Sequence, residues 1–128
     1  MRVVFKPSPS VSHKYRVVLP SKVAFDIGSI HTEDYTDHKN TRLMRAHLIR
    51  RGAKIPREVR IETDENEIHR GMLHVNESYN EDWDDPHNKL FWDRWLLWSY
   101  TNVEHSKLWL AMRHGILFMP YDDNFTCI

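Results

Sequence analysis

The sequence has one cysteine, four scattered glycines and no net charge in its 128 residues. The single thiol, Cys127, excludes an intrachain disulfide and a zinc site built from several cysteines. The scarcity of glycine excludes the glycine-rich loops that hold phosphate groups. Because eighteen basic residues balance eighteen acidic ones, overall charge selects neither nucleic acid nor an anionic membrane as a partner.

Long apolar runs are also lacking. No stretch approaches the roughly 18 to 20 apolar residues of a spanning helix, so we expect no membrane span. The first ten residues, MRVVFKPSPS, are too short and too soon broken by proline for a signal peptide. These features predict a soluble protein in a reducing, intracellular compartment, and the chain length favours a single domain.

Proline and serine dominate residues 6–12, KPSPSVS, which predicts that residues 1–12 form an extended N-terminal arm outside the domain. Two short segments then combine aromatic and β-branched residues, YRVVL at 15–19 and VAFDI at 23–27. They predict a small N-terminal β-hairpin. An isolated hairpin is marginally stable in water, so we expect it to pack on an apolar layer.

Residues 37–51 predict a basic amphipathic helix that ends before Gly52. The residues expected on its apolar face are Leu43, Met44, His47 and Leu48.

Two further helices are predicted in the second half. One covers residues 86–99, with Asp84 or Asp85 as its N-cap. The other follows a capping-box pattern at residues 101–104 and ends at Gly115. They form a tryptophan-rich helical hairpin, so residues 13–115 are predicted to be one α+β domain in which the β-hairpin packs on these helices.

Four of the five tryptophans lie in residues 81–98, EDWDDPHNKLFWDRWLLW. Their spacing leaves the helix little polar surface, which favours burial over exposure. The predicted structural core is Trp83, Phe91, Trp92, Trp95, Trp98 and Trp109, packed against Leu108, Met112, Val17, Leu19 and Phe25. A hydrophobic interface with another protein remains the alternative.

Candidate catalytic and metal-binding residues form no recognisable motif. The acidic group has no EF-hand spacing, and helix capping with ion pairing explains it; its members are Glu81, Asp82, Asp84, Asp85 and Asp93. The nine histidines stand singly, although His69 with His74 or His31 with His38 leaves open a zinc site assembled by the fold. We therefore predict no enzyme activity, no cofactor and no metal.

Charge is segregated along the chain. Residues 39–60 contain eight basic residues and one acidic residue, whereas residues 62–85 contain nine acidic residues and one basic residue. An adjacent acidic strip repels phosphate, so nucleic acid is not the expected partner. The two strips pair within one molecule or between neighbouring proteins.

Residues 116–128 are apolar without a period, and they predict a C-terminal arm that lies on another protein. The candidate partner-binding residues are Arg42, Arg45, Arg50, Arg51, Ile116, Phe118, Tyr121 and Phe125. The alternative function is a nucleic-acid-binding or host-interaction module that uses the basic segment 39–60.

Several ordered blocks resemble a small uncharacterised domain of nucleocytoplasmic large DNA viruses, found in iridoviruses and giant viruses. They include HKYRVVLPS at 13–21, FDIG at 25–28, EDYT at 33–36, EDW at 81–83 and FWDRWLLW at 91–98. The resemblance implies a virion protein that assembles in the host cytoplasm. The expected function is that of a non-enzymatic minor capsid protein, present in many copies, whose partners are the major capsid protein and other minor capsid proteins.

Overall fold

The computed structural model describes residues 1–54, 64–71, 73–74 and 83–120. The elements in chain order are β1 (Arg2–Pro7), β2 (His13–Val18), β3 (Ala24–Ser29), α1 (Tyr35–His38), α2 (Thr41–Arg50), β4 (Ala53–Lys54), α3 (Glu65–Gly71), β5 (Leu73–His74), α4 (Lys89–Leu97), α5 (Val103–His114) and β6 (Leu117–Met119). The predicted α+β class, with a β-hairpin against tryptophan-rich helices and a basic helix beside them, is confirmed.

The main sheet has the strand order β3-β2-β1-β6, and β4 pairs with β5 in a separate two-stranded sheet. The predicted hairpin is β2 with β3, joined by a turn in which Lys22 has a φ of 74°. β1 is antiparallel to β2, and β6 is parallel to β1. The chain thus adds a strand from each end of the described sequence to the predicted hairpin.

Residues 2–7 are extended, but they do not lie outside the domain. Residues 4–7 of β1 pair with β2, residues 2–4 pair with β6, and Val3 is buried in the core. The prediction of a free arm is therefore wrong for these residues. It gave Pro7 too much weight: as the last residue of β1, Pro7 ends a strand without interrupting one.

The start of the C-terminal segment also belongs to the domain. Ile116 is 1% exposed, and the Leu117 amide donates to the Met1 carbonyl over 2.8 Å where β6 begins beside β1. A three-residue strand shows no measurable period, so its sequence does not reveal it. The predicted C-terminal arm is thus wrong for residues 116–119, while Tyr121 and Phe125 lie outside the described residues.

Helices α4 and α5 supply half of the ten residues of the main buried cluster, and the other half come from the sheet and its flanks. The buried cluster is Val3, Val17, Leu19, Ile27, Phe91, Trp92, Leu96, Leu97, Leu110 and Ile116. Trp95, Trp98 and Trp109 are half-buried and pack against it. Leu108 and Met112 are 59% and 81% exposed, so their predicted place in the core is wrong. Leu110 is the α5 leucine that packs in the main cluster, and the side of α5 that carries Leu108 and Met112 therefore faces outward.

A second buried cluster lies around α2 and contains Tyr35, Met44, Leu48, Ala53, Ile68 and Trp83. The predicted helix over residues 37–51 is divided, because Lys39 adopts a left-handed φ of 53° and Asn40 then caps α2. This division leaves Leu43 exposed, contrary to prediction. The His47 ring stacks on Trp98 with ring centroids 3.6 Å apart, which joins α2 to α4.

The helix caps differ from the predicted ones. Asn88 caps α4 by accepting from the Leu90 amide over 2.9 Å, so neither Asp84 nor Asp85 is the cap. Asn102 caps α5 one residue later than predicted. The predicted stop at Gly115 is confirmed, since this residue has a φ of 65°.

Candidate functional site between helices α3, α4 and α5

A cavity of about 540 Å³ opens between α3, α4 and α5. We call it the arginine–tryptophan pocket. Its lining residues are Asn66, His69, Arg70, Trp83, Asp84, Arg94, Trp95, Tyr100, Trp109, Arg113 and His114. The volume falls within the roughly 300 to 1,000 Å³ of ordinary ligand sites.

Stacked rings build one wall of this pocket. Trp95 and Trp109 stack with their centroids 4.0 Å apart and their planes 20° from parallel. The Trp95 indole nitrogen donates to the Trp83 carbonyl over 2.7 Å, which fixes its orientation. The guanidinium carbon of Arg94 lies 4.0 Å from the Trp95 ring centre and 5.0 Å from that of Trp83. The positive charge is therefore held against aromatic rings by cation–π attraction.

Arg94 is only 4% exposed, so its charge needs hydrogen-bond partners. Its Nη1 donates to Ser99 Oγ over 2.6 Å and to the Trp98 carbonyl over 3.3 Å. Its Nη2 lies 3.0 Å from His69 Nδ1. The Ser99 hydroxyl donates in turn to the Arg94 carbonyl over 3.0 Å. This network fixes the guanidinium at the base of the pocket.

His69 connects α3 to the same network. Its Nε2 is 2.7 Å from the Ser99 carbonyl, an oxygen that only accepts, so Nε2 carries the proton and Nδ1 accepts from Arg94. Burial, followed by the charge of Arg94, lowers the pKa of His69 to about 3. The ring is neutral at pH 7 with both nitrogens engaged, so it holds α3 in place and is not a free general base.

The rim of the pocket is basic. Arg70 comes from α3, where it also pairs with Glu67, and exposed Arg113 comes from α5. Burial lowers the pKa of the nearby His114, which favours its neutral form. Among the lining residues, three guanidinium groups thus face one carboxylate, that of Asp84. This balance favours an anionic ligand, since guanidinium groups bind carboxylate or phosphate through paired hydrogen bonds.

The structure divides the predicted core residues into two groups. Phe91 and Trp92 are fully buried, and Trp98 lies between the two clusters. The remaining predicted core residues, Trp83, Trp95 and Trp109, line the pocket. The core and the wall of the pocket are therefore continuous in this protein.

The predicted partner-binding arginines stand elsewhere. Arg42, Arg50 and Arg51 are exposed on or just after α2, whereas Arg45 is half-buried. Ile116 is buried and Phe118 half-buried, so the first is not available to a partner. Residues 55–63 and 75–82 lie outside the described residues, and the pairing of the basic and acidic strips stays a prediction.

Sequence reasoning missed Arg94, His69 and Arg113 as parts of one site. Only Arg94 carried a signal, because a charged residue within the run WDRWLLW must either leave the core or find partners there. His69 and Arg113 lie 25 and 19 residues from Arg94 in the sequence, and only the fold brings them together.

Within residues 1–54, 64–71, 73–74 and 83–120, no group of three or more His, Cys, Asp or Glu side chains is placed to hold a metal ion. No helix in the same ranges has the length and apolar character needed to cross a membrane.

Comparison with known proteins gives one similarity. Residues 3–51, from β1 through α2, match the model of a family described as Family of unknown function (DUF5754). The matched part holds three strands of the main sheet and the basic helix, but not the arginine–tryptophan pocket. No curated protein and no solved structure gives a significant match.

Proposed function

We propose that this protein is a non-enzymatic minor capsid protein of a large DNA virus, which binds an acidic segment of another virion protein in the arginine–tryptophan pocket. The observation that carries the binding role is the basic rim, in which Arg70 and Arg113 stand on different helices above aromatic walls. The viral setting follows from the sequence resemblance of residues 13–50 and 79–106.

The composition of the pocket fits protein recognition. Tryptophan, tyrosine and arginine are the residues that contribute most binding energy at protein interfaces, and all three line the cavity. Leu108 and Met112 lie on α5 at positions adjacent to Trp109 and Arg113, and both are exposed. Neither lines the cavity, but both give α5 exposed apolar area of the kind that interfaces bury.

Binding is favoured over catalysis because the polar groups of the pocket hold one another. His69 uses both ring nitrogens, and the Tyr100 hydroxyl donates to Asn66 Oδ1 over 2.9 Å. Neither group is placed to take a proton from a substrate. A rigid, preformed surface of this sort lowers the entropy cost of binding.

Two measurements test the proposal. Mass spectrometry of purified virions should detect the protein at a stoichiometry comparable with other capsid components. In infected-cell extracts the wild-type protein should retain a virion protein that Arg113→Glu loses and Lys22→Glu keeps. Lys22 is the matched control, because it is an exposed cation on the β2–β3 turn and does not line the pocket. Absence from virions, or equal retention by both variants, would refute the proposal.

A further inference from the structure

The five residues 121–125, YDDNF, combine two carboxylates with two aromatic rings. The two carboxylates complement the guanidinium groups at the rim of the arginine–tryptophan pocket, and the two rings complement the indole rings of its wall. The segment begins two residues after β6, and it lies outside the described residues.

We propose that the acidic segment 121–125 of a second copy of this chain occupies the arginine–tryptophan pocket. Asp122 and Asp123 pair with Arg70 and Arg113, and the flanking aromatic rings lie against the tryptophans. This assignment rests on the proposed function and names the partner that supplies the acidic segment.

The charges on both sides support the pairing. The pocket lining carries three guanidinium groups and one carboxylate, and the segment carries two carboxylates and no cation. An ion pair at a half-open rim is screened less than one in bulk water, because the aromatic walls exclude solvent on one side. Rings added to these walls contribute apolar burial and favourable edge or stacking contacts.

The direction of β6 favours a second copy over the same chain. Arg113 and His114 bring the pocket next to Gly115, and β6 then runs away from that point along β1. At about 3.3 Å per residue, four residues carry the chain roughly 13 Å from Gly115 to Met119. Pro120 alone joins Met119 to Tyr121, and one residue spans at most about 3.6 Å. To reach the pocket of its own chain the segment would have to reverse its direction within a few residues of Pro120, whereas the segment of a neighbouring copy has no such restriction.

The resulting contact joins two different surfaces, a segment of one copy and a pocket of the next. Such head-to-tail contacts close into a ring or continue as an open chain, according to the rotation between copies. Either outcome suits a protein that repeats in an assembly, because individually weak contacts add through multivalency.

A peptide of residues 120–128, with Cys127→Ser to prevent disulfide formation, tests the pocket directly. The receptor is the full chain with Asp122→Asn and Asp123→Asn, so that its own segment does not compete. Titration should change the tryptophan fluorescence of the receptor and saturate. The same peptide with both aspartates changed to asparagine should bind about tenfold or more weakly, because charge pairs at interfaces commonly contribute more than 1.4 kcal/mol.

Receptor variants locate the binding site. Adding Arg113→Glu should weaken peptide binding about tenfold or more, and Lys22→Glu, an exposed cation of the β2–β3 turn outside the pocket lining, should leave the affinity within about twofold. Equal affinity for the two peptides, or equal effects of the two receptor variants, would overturn the assignment to this pocket.

Sedimentation of the full chain distinguishes the two sources of the segment. The wild-type chain should associate with rising concentration, and the double asparagine variant should remain monomeric. A wild-type monomer that binds the peptide only after its own aspartates are neutralised would show same-chain binding and overturn the second-copy assignment. If the peptide fails to bind while virion proteins are still retained in an Arg113-dependent manner, the further inference fails and the proposed function stands.

Discussion

His69 should make this fold sensitive to mild acid. In the unfolded chain its pKa is near the ordinary 6.5, whereas burial and Arg94 lower it to about 3 in the folded protein. Between pH 6.5 and about pH 3 the His69 ring is protonated in the unfolded state but stays neutral in the folded state. The free energy of unfolding therefore falls as the pH falls. The stabilisation is complete above about pH 6.5 and is lost progressively toward pH 3.

The magnitude follows from the two pKa values. From pH 7 to pH 4.5 the difference in proton binding corresponds to a loss of roughly 2 to 3 kcal/mol from His69. A protein of this size has a total stability of about 5 to 15 kcal/mol, so the loss is large enough to measure. His47 contributes in the same direction, because burial followed by Arg51 and Arg50 lowers its pKa to about 4.

His69→Gln separates the two histidines. A glutamine amide can donate to the Ser99 carbonyl and accept from Arg94, as the imidazole does, but it does not titrate. Urea unfolding at intervals from pH 7 to 4.5 should show a shallower pH dependence in the variant, by roughly 2 to 3 kcal/mol over that range. If the variant and the wild type lose stability in parallel, His69 is not the buried neutral imidazole described above.

Three further outcomes are expected. Trp92→Ala should lower the free energy of unfolding by roughly 3 to 5 kcal/mol, whereas the exposed Met112→Ala should change it by less than about 0.5 kcal/mol in the same thermal or urea melts. Gly28→Ala should cost roughly 1 to 3 kcal/mol, because the residue has a φ of +75° and the added Cβ would lie 2.9 Å from a core leucine methyl. The protein should bind duplex DNA with a dissociation constant in the micromolar range or weaker at physiological salt, as measured by fluorescence anisotropy. Nanomolar binding that is abolished by Arg50→Glu with Arg51→Glu would favour the nucleic-acid alternative.

The parts of the fold that were predictable have local signals. The β2–β3 hairpin follows from alternating β-branched residues around a turn, and α5 ends at Gly115 because glycine tolerates a left-handed φ. Helix starts were less predictable: Asp, Asn and Thr all make acceptable caps, and the competition between them depends on tertiary packing. The sequence near each of these helix starts contains several such residues, and the N-caps in the structure are Asn88 and Asn102.

The unpredictable parts depend on long-range pairing. β1 and β6 are separated by more than a hundred residues, and β6 is a strand only because β1 offers unpaired backbone groups at the edge of the sheet. The pocket has the same origin, since α3 joins α4 through one histidine bonded to Arg94. Neither arrangement leaves a periodic pattern in the sequence.

The two interpretations of the tryptophan run, core or interface, apply to different faces of the same helices. Trp92 faces the sheet and is fully buried, whereas Trp95 faces α3 and stacks on Trp109 at the pocket wall. Arg94 is buried against the Trp95 ring, and its hydrogen bonds to Ser99 and His69 link α4 to α3. A ligand bound at the rim would therefore lie close to the Arg94 and His69 side chains, which also hold α3 against α4. Because any ligand that binds only the folded state stabilises it, occupancy of the pocket should raise the melting temperature and protect the backbone amides of α3 from hydrogen exchange before those of the sheet.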